Sequence, residues 1–272
     1  GADVNCNTIY VHNNKYLCNE ASIFIEALNK DSFNKQLLDL LYEYGANLVK
    51  VIEKSFAEMP IQSLIQRHIQ DDELALQYLE YCWDKHSFDL EYKNIYDENL
   101  FLAASMACLP KTLKWLANKG VDINVVGGTE NLNALHQAIT CYAYVPTLQR
   151  SKAVATLIDL GLDIEKVSSK QMTPLMAAAN VGARQVVKDL ISLKVNVNAV
   201  NENNQNAIHH AVIGNNSYDF SFRFETIKSK IIQDLVNANA NISLCEESGA
   251  TPLIYAIQAN YKEIFDTLIT LG

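Results

Sequence analysis

Glycine and proline are scarce in this 272-residue chain, at 10 and 5 residues. Glycine stands at about half its usual share of roughly 7%, which argues against glycine-rich phosphate loops. No Walker loop, G-x-G-x-x-G, H-E-x-x-H or G-x-S-x-G occurs. Basic residues are also short: 22 Lys and Arg face 31 Asp and Glu, a formal charge of -9. A nucleic-acid binder normally needs a basic face to displace counterions from phosphates, so that class is set aside. No run of about 18 apolar residues is present, and no membrane insertion is expected. The six cysteines, Cys6, Cys18, Cys82, Cys108, Cys141 and Cys245, form no C-x-x-C pair. A disulfide scaffold belongs to short, cysteine-dense secreted chains; these read as free thiols in a reducing, cytosolic environment, several of them filling core positions. The chain starts at Gly1-Ala2 without a charged leader and an apolar segment behind it, and reads as an excerpt of a longer protein.

What the chain does have is an ordinary apolar fraction of 49% and an internal repeat. Gly1-Ala2-Asp3-Val4-Asn5 recurs as Gly45-Ala46-Asn47-Leu48, Gly120-Val121-Asp122-Ile123-Asn124 and Gly161-Leu162-Asp163-Ile164-Glu165. Ser87-Phe88-Asp89-Leu90-Glu91, Lys194-Val195-Asn196-Val197-Asn198 and Asn239-Ala240-Asn241-Ile242-Ser243 are degraded copies, and Gly272 begins another. The intervals 87 to 120, 161 to 194 and 239 to 272 are all 33 residues, and the longer intervals read as the same unit with insertions. A second signal precedes these turns by 21 residues: Thr173-Pro174-Leu175-Met176-Ala177-Ala178-Ala179 before Lys194, and Thr251-Pro252-Leu253-Ile254-Tyr255-Ala256 before Gly272. Asn99-Leu100, Asn133-Ala134-Leu135-His136 and Asn206-Ala207-Ile208-His209 are weaker versions.

These residues resemble the ankyrin repeat, whose T-P-L-H-x-A-A element and G-A-D-V-N turn recur every 33 residues. The resemblance runs through essentially the whole chain and is weakest between Val51 and Tyr92. It implies an all-α solenoid of helix-turn-helix units with hairpin-like loops, divided at 6–45, 46–87, 88–120, 121–161, 162–194, 195–239 and 240–272. Thr173 and Pro174 suit a helix start, the hydroxyl capping orphaned amides and the proline lacking an N–H where none is needed. Ala177, Ala178 and Ala179 let units approach closely. Gly120 and Gly161 suit a left-handed helix end; where Lys194 or Asn239 replaces glycine, a cost of up to about 1 kcal/mol is expected. Helices are expected near Glu20–Leu28, Phe33–Tyr44, Ile61–Ile69 and Asp72–Trp83. Cys6–Asn19 reads as a long loop. Tyr142–Arg150 and the aromatic-rich Asn215–Glu225 read as insertions between helices.

No residue constellation suggests catalysis, and neither a metal nor a cofactor is expected. Cys6, His12 and Cys18 lack zinc-like spacing and a fourth ligand. Cys141, five residues after His136, falls on another helix face, against a nucleophile pair. The resemblance makes His136 and His209 structural residues that join neighbouring turns, and His210 a helix-face residue. Asp71-Asp72-Glu73 reads as charge at a helix start, and Glu246-Glu247 as a solvated tip.

In ankyrin arrays partners dock on a concave face of hairpin tips and first-helix ends. Carried onto this sequence, that face comprises Ile95, Tyr96, Glu98 and Met106 in the third unit, and Thr129, Glu130, Leu132 and Thr140 in the fourth. It continues with Ser169, Lys170, Met172, Asn180 and Val181, then Glu202, Asn203 and Gln205, then Glu247, Ser248 and Gln258. Tyr96, Met106 and Met172 stand out as residue types common at interfaces. The acidic tips Glu98, Glu130, Glu202 and Glu247 favour a protein partner with a basic or mixed surface. The abundance of Asn, Ile, Lys and Tyr and the irregular insertions make the chain similar to ankyrin-repeat effectors of intracellular bacteria, secreted to act on a protein in the host cytoplasm or nucleus; a eukaryotic or poxvirus-like ankyrin protein is the rival origin. The alternative is the substrate-recognition region of a larger enzyme whose catalytic domain lies outside this segment.

Overall fold

The computed structural model describes residues 8–12, 15–19, 34–43, 71–85, 89–91, 93–94, 96–141, 145–214 and 223–272. The first described element is an antiparallel hairpin, β1 (Thr8–His12) with β2 (Lys15–Asn19), in register from Thr8 opposite Asn19 to His12 opposite Lys15. The expected open loop over Cys6–Asn19 is therefore corrected: β-branched and aromatic residues in Thr8-Ile9-Tyr10-Val11 favour extended backbone. The helices expected near Glu20–Leu28 and Ile61–Ile69 lie outside the described residues.

Two described helices follow, α1 (Lys35–Glu43) and α2 (Asp72–Lys85). Then come helix pairs: α3 (Leu100–Met106) with α4 (Pro110–Asn118), and α5 (Ala134–Ile139) with α6 (Thr147–Asp159). The series continues with α7 (Pro174–Asn180) and α8 (Arg184–Ser192), α9 (Ala207–Ile213) and α10 (Arg223–Asn237), and α11 (Pro252–Gln258) and α12 (Lys262–Leu271). A short antiparallel ladder, β3 (Val126–Gly127) with β4 (Leu132–Asn133), precedes α5. The two expected insertions are partly helical: Thr147–Arg150 form the first turn of α6, and α10 already starts at Arg223. The stretch 215–222, with Tyr218, Phe220 and Phe222, lies outside the described residues.

The helices form two layers. The inner layer stacks α3, α5, α7, α9 and α11 side by side, and the outer layer stacks α2, α4, α6, α8, α10 and α12. Each inner helix also packs on the outer helix that follows it. Small side chains allow this spacing: Ala103, Ala104, Ala138, Ala177, Ala178, Ala179, Ala211 and Ala256 are all buried. Between the layers lie larger residues such as Leu113, Leu116, Leu157, Val187, Leu190, Ile232 and Leu235, each with almost no exposed surface. The core therefore runs the length of the stack instead of closing on itself.

The two layers start their helices differently. Each described inner helix has its own side-chain cap: Asn99, Asn133, Thr173, Asn206 and Thr251 accept from amides of the first turn. Two outer helices are capped by a neighbour. Asp72 of α2 accepts from Lys111 N at 2.6 Å and Thr112 N at 3.0 Å at the start of α4. Glu225 of α10 accepts from Glu263 N at 2.8 Å at the start of α12. Asp72 thus does more than complement its own helix dipole; it satisfies amides of the next unit that Leu109-Pro110 cannot cap.

The helix-end turns are left-handed at Gly120 (φ 85°), Gly161 (φ 88°), Lys194 (φ 63°) and Asn239 (φ 67°). Two further left-handed series appear, the first in each of the five described helix pairs and the second in three of them. One lies before the inner helices at Asp97, Asn131, Gln171, Asn204 and Gly249; the other lies between the layers at Cys108, Gly182 and Asn260. Glycine is scarce because Asn, Asp, Gln, Lys and Cys hold most of these places. Gly214 has an ordinary φ but is fixed by a close approach, because a Cβ there would lie 2.1 Å from the Asn180 carbonyl oxygen.

Candidate protein-interaction face

The Asp or Asn of each turn accepts from the amide two residues on: Asp122 from Asn124 at 2.9 Å, Asp163 from Glu165 at 2.8 Å, Asn196 from Asn198 at 3.0 Å and Asn241 from Ser243 at 3.0 Å. These are Asx turns, in which the side chain stands in for a backbone acceptor. The last residue of the motif reaches across units. Glu91 accepts from Asp122 N at 2.6 Å, Glu165 from Asn196 N at 2.6 Å, and Asn198 from Asn241 N at 2.7 Å. Sequence reading recovered the motif but missed this second function of its final position.

The tips between the turns and the inner helices are joined by backbone. Gly128 N donates to Tyr96 O at 2.8 Å, Ser169 N to Glu130 O at 2.9 Å, Glu202 N to Lys170 O at 3.4 Å, and Glu247 N to Asn203 O at 3.1 Å. Histidines bind the same region to the helices behind it. His136 Nε2 lies 2.9 Å from Met172 O, and His209 Nε2 lies 3.4 Å from Ala250 O, each in the following unit. The carbonyl partners require Nε2 to carry the proton, and Asn206 N donates to His209 Nδ1 at 3.3 Å. Burial pulls the pKa of both rings down. The expected structural role of these two histidines is what the geometry shows. His210 lies on α9 and is buried, with Nε2 3.2 Å from Asn201 Nδ2 and Nδ1 unpartnered.

The residues assigned to the face divide in three. Thr129, Thr140, Ser169, Lys170, Glu202, Asn203, Glu247, Ser248 and Gln258 are exposed, and Tyr96 has 52% of its surface open. Met106, Glu130, Leu132, Asn180 and Gln205 are half-buried. Met172 and Val181 pack against the core, so Met172 is less available than its residue type suggested. Glu98 is half-buried and turned to its neighbours, accepting from Asn94 Nδ2 at 3.1 Å and Gln137 Nε2 at 3.3 Å. Glu130 forms an ion pair with Lys170. The acidic edge thus rests on Glu202 and Glu247. Glu246 is buried, correcting its reading as a solvated tip, and accepts from Ser248 N at 2.9 Å and Ala250 N at 3.4 Å. Ile95 lies outside the described residues.

One exposed residue escaped the sequence assignment. Met106, Asn180 and Gln258 are the last residues of α3, α7 and α11, and Thr140 caps α5. Ile213 holds the same place at the end of α9, 33 residues after Asn180, with 39% of its surface exposed. The period alone could have found it; the departure of the sixth unit from the consensus hid it.

A family model of three ankyrin repeats matches residues 142–221. The chain has the ankyrin-repeat fold, and that stretch of it resembles the ankyrin-repeat family. It is 27% identical over 146 residues to an ankyrin repeat protein of Fowlpox virus (strain NVSL), a match spanning 54% of this chain and 89% of that one. It is 30% identical over 109 residues to an ankyrin repeat protein of Acanthamoeba polyphaga mimivirus, spanning 40% of this chain and 13% of the relative. The crystal structure of an ankyrin repeat domain from Acinetobacter baumannii AYE shares the fold, with a TM-score of 0.57 and 22% identity over 78% of this chain and 97% of that one. Ankyrin repeats mediate protein–protein interaction and are typically non-catalytic scaffolds. Among the described residues, no helix is long and apolar enough to cross a membrane.

Proposed function

We propose that this ankyrin array binds a partner protein through the face made by its hairpin tips and inner-helix ends. The observation that carries this reading is the pair of parallel rows on one side of consecutive units. The tip row includes Tyr96, Ser169-Lys170, Glu202-Asn203 and Glu247-Ser248; the helix-end row includes Met106, Thr140, Asn180, Ile213 and Gln258. The backbone behind both rows is already bonded between units, so side chains there are held in place before a partner arrives, which lowers the ordering cost of binding. Tyr96 and Ile213 are the apolar anchors. Exposed Glu202 and Glu247 select a basic or mixed surface.

The setting in this reading is a host cell, where the protein acts as an effector in the reducing cytoplasm or nucleus. Composition and irregular insertions support a bacterial source. The two viral relatives support the broader idea of an array encoded by an invading agent. Free thiols at Cys82, Cys108, Cys141 and Cys245 agree with a reducing compartment. The mimivirus relative, matched over only 13% of its length, lends weight to arrays of this kind serving as one region of a longer protein; a catalytic neighbour that uses this face to choose its substrate is the second reading.

Affinity purification from host-cell lysate, read by mass spectrometry, tests the face. The parent chain is compared with a Tyr96→Ala/Ile213→Ser double variant and with Lys188→Ala on outer helix α8 as a control. A partner retained by the parent and the control and lost with the double variant supports the reading. Equal retention by all three overturns it.

A further inference from the structure

Cys108 and Cys141 lie two residues past the ends of inner helices α3 and α5, in consecutive units. Both are buried, with 0% and 6% of their surface exposed. Cys108 has φ 54°, a left-handed backbone held elsewhere in this series by Gly182 and Asn260. A cysteine in that conformation carries a steric cost that glycine would avoid. The first turn of α6 clasps the pair. Gln149 Nε2 donates to Cys108 O at 3.1 Å, and Arg150 Nε donates to Cys141 Sγ at 3.2 Å. The Cys108 thiol donates to Ala138 O at 3.5 Å, three residues before Cys141 in the next unit.

The two sulfurs are therefore unequal. The neighbouring Cys108 and the Arg150 guanidinium, whose Nε lies 3.2 Å from the sulfur, hold the Cys141 thiol below the usual thiol range against the opposing effect of burial. The same pairing, together with burial, keeps Cys108 protonated well above the usual thiol range. Cys82 is a useful contrast: burial alone pushes it up to about 12.

We propose that Cys141 is a hydroperoxide-reactive thiolate and that Cys108 resolves it, closing a disulfide between the third and fourth units. The Cys141 thiolate attacks the terminal oxygen of a hydroperoxide. The O–O bond breaks, the sulfur becomes a sulfenic acid, and the departing oxygen takes up a proton to leave as water or alcohol. The Cys108 sulfur then attacks the sulfenic sulfur. The S–O bond breaks, the S–S bond forms, and the Cys108 proton leaves with the hydroxyl as water. Two thiols have been oxidised by two electrons and one hydroperoxide reduced.

The test uses the full chain at pH 7 with limiting hydrogen peroxide, followed by thiol blocking and non-reducing peptide mapping. Exposed Cys245 serves as an internal reference. The expected result is a Cys108–Cys141 cross-linked peptide while Cys245 remains a thiol. Arg150→Gln should slow the reaction of Cys141 by about tenfold through its smaller thiolate fraction, and Arg150→Lys should recover part of it. Cys108→Ser should let dimedone trap the sulfenic acid on Cys141, with circular dichroism confirming the fold. Oxidation of Cys245 ahead of an intact Cys108 and Cys141, or an Arg150→Gln chain that reacts at the parent rate, overturns the proposal. Sulfenic acid on Cys141 of the parent without the cross-link overturns the resolving role of Cys108.

Discussion

The Lys228 ammonium nitrogen lies 2.7 Å from the Ala179 carbonyl oxygen, although its side chain starts on the outer helix of the next unit. It also donates to Asn180 O, sits 5.4 Å from the Phe224 ring centre, and has no exposed surface. Two terminal carbonyls of α7 are thereby satisfied at the base of the largest insertion. The cost is a buried amine, and burial lowers its pKa from 10.5 to about 7.

Stability should therefore rise with pH above neutrality. Between pH 7 and 10.5 the unfolded chain holds a proton on Lys228 that the folded chain has released, so raising the pH favours the fold. Below pH 7 both states are protonated and this contribution is flat. At about 1.4 kcal/mol per pH unit, the parent should gain roughly 2–3 kcal/mol from pH 7 to 9 relative to Lys228→Met. Urea unfolding of both chains across that range measures the difference. A constant difference would show that the amine titrates normally.

Acid should act on His210 in the same linkage sense. Burial, with the neighbouring charges of His209 and Lys228, lowers its pKa from 6.5 to about 4. As pH falls from 6.5 to 4, the unfolded chain gains a proton that the folded ring refuses, and stability is lost. His210→Leu should remove up to about 3 kcal/mol of this acid sensitivity. Asn201 Nδ2 keeps its bond to Gln205 Oε1 at 3.2 Å in that variant. Unfolding midpoints at pH 7 and pH 4.5 provide the comparison.

Lys194→Gly should stabilise the array. Lys194 holds φ 63° with an exposed side chain, where Gly120 and Gly161 serve other units. Relief of the Cβ clash outweighs the added freedom of the unfolded chain by about 0.5–1 kcal/mol. The reverse change, Gly161→Ala, should cost about 1 kcal/mol even though open space surrounds its Cα. Denaturant midpoints at a constant m-value check both.

Asn198→Ala should loosen the seventh unit from the sixth. Its side chain accepts from Asn241 N at 2.7 Å and donates to Asn239 O at 2.9 Å. The loss should be about 1–2 kcal/mol. Because each unit of a solenoid touches only its neighbours, the effect should concentrate in residues 240–272. Hydrogen exchange should accelerate there while Ala177–Ala179 keep their protection.

The repeat was legible because its signals are local. Thr173-Pro174 and Thr251-Pro252 start helices through their own hydroxyls and rings, and Gly120 and Gly161 end turns through missing side chains. Less was legible where the partner of a residue lies one unit away. Asp72 looked like helix-start charge because the amides it serves, Lys111 N and Thr112 N, come from the next unit; Glu246 looked like a solvated tip although the amides it serves are local, at Ser248 and Ala250. Buried Lys228 and His210 carry no local mark at all. On the face, Glu98 stands among the acidic tips in the sequence; its tie to Asn94 is local, but Gln137 reaches it from the next unit. Ile213 departs from the consensus letters, and its 33-residue offset from Asn180 is the mark it carries in the sequence.

The two rails that join the units share one orientation. In the tip bonds from Tyr96 to Glu247, and in the turn bonds of Glu91, Glu165 and Asn198, the amide always belongs to the later unit and the acceptor to the earlier. The array consequently has a head and a tail. Cutting it between any two such units leaves unmet acceptors on one fragment and unmet amides on the other, so fragments can rejoin only in their original sense. Units shuffled within the array would keep their bonding if each retained its direction, and an inverted unit would present donors to donors on one side and acceptors to acceptors on the other.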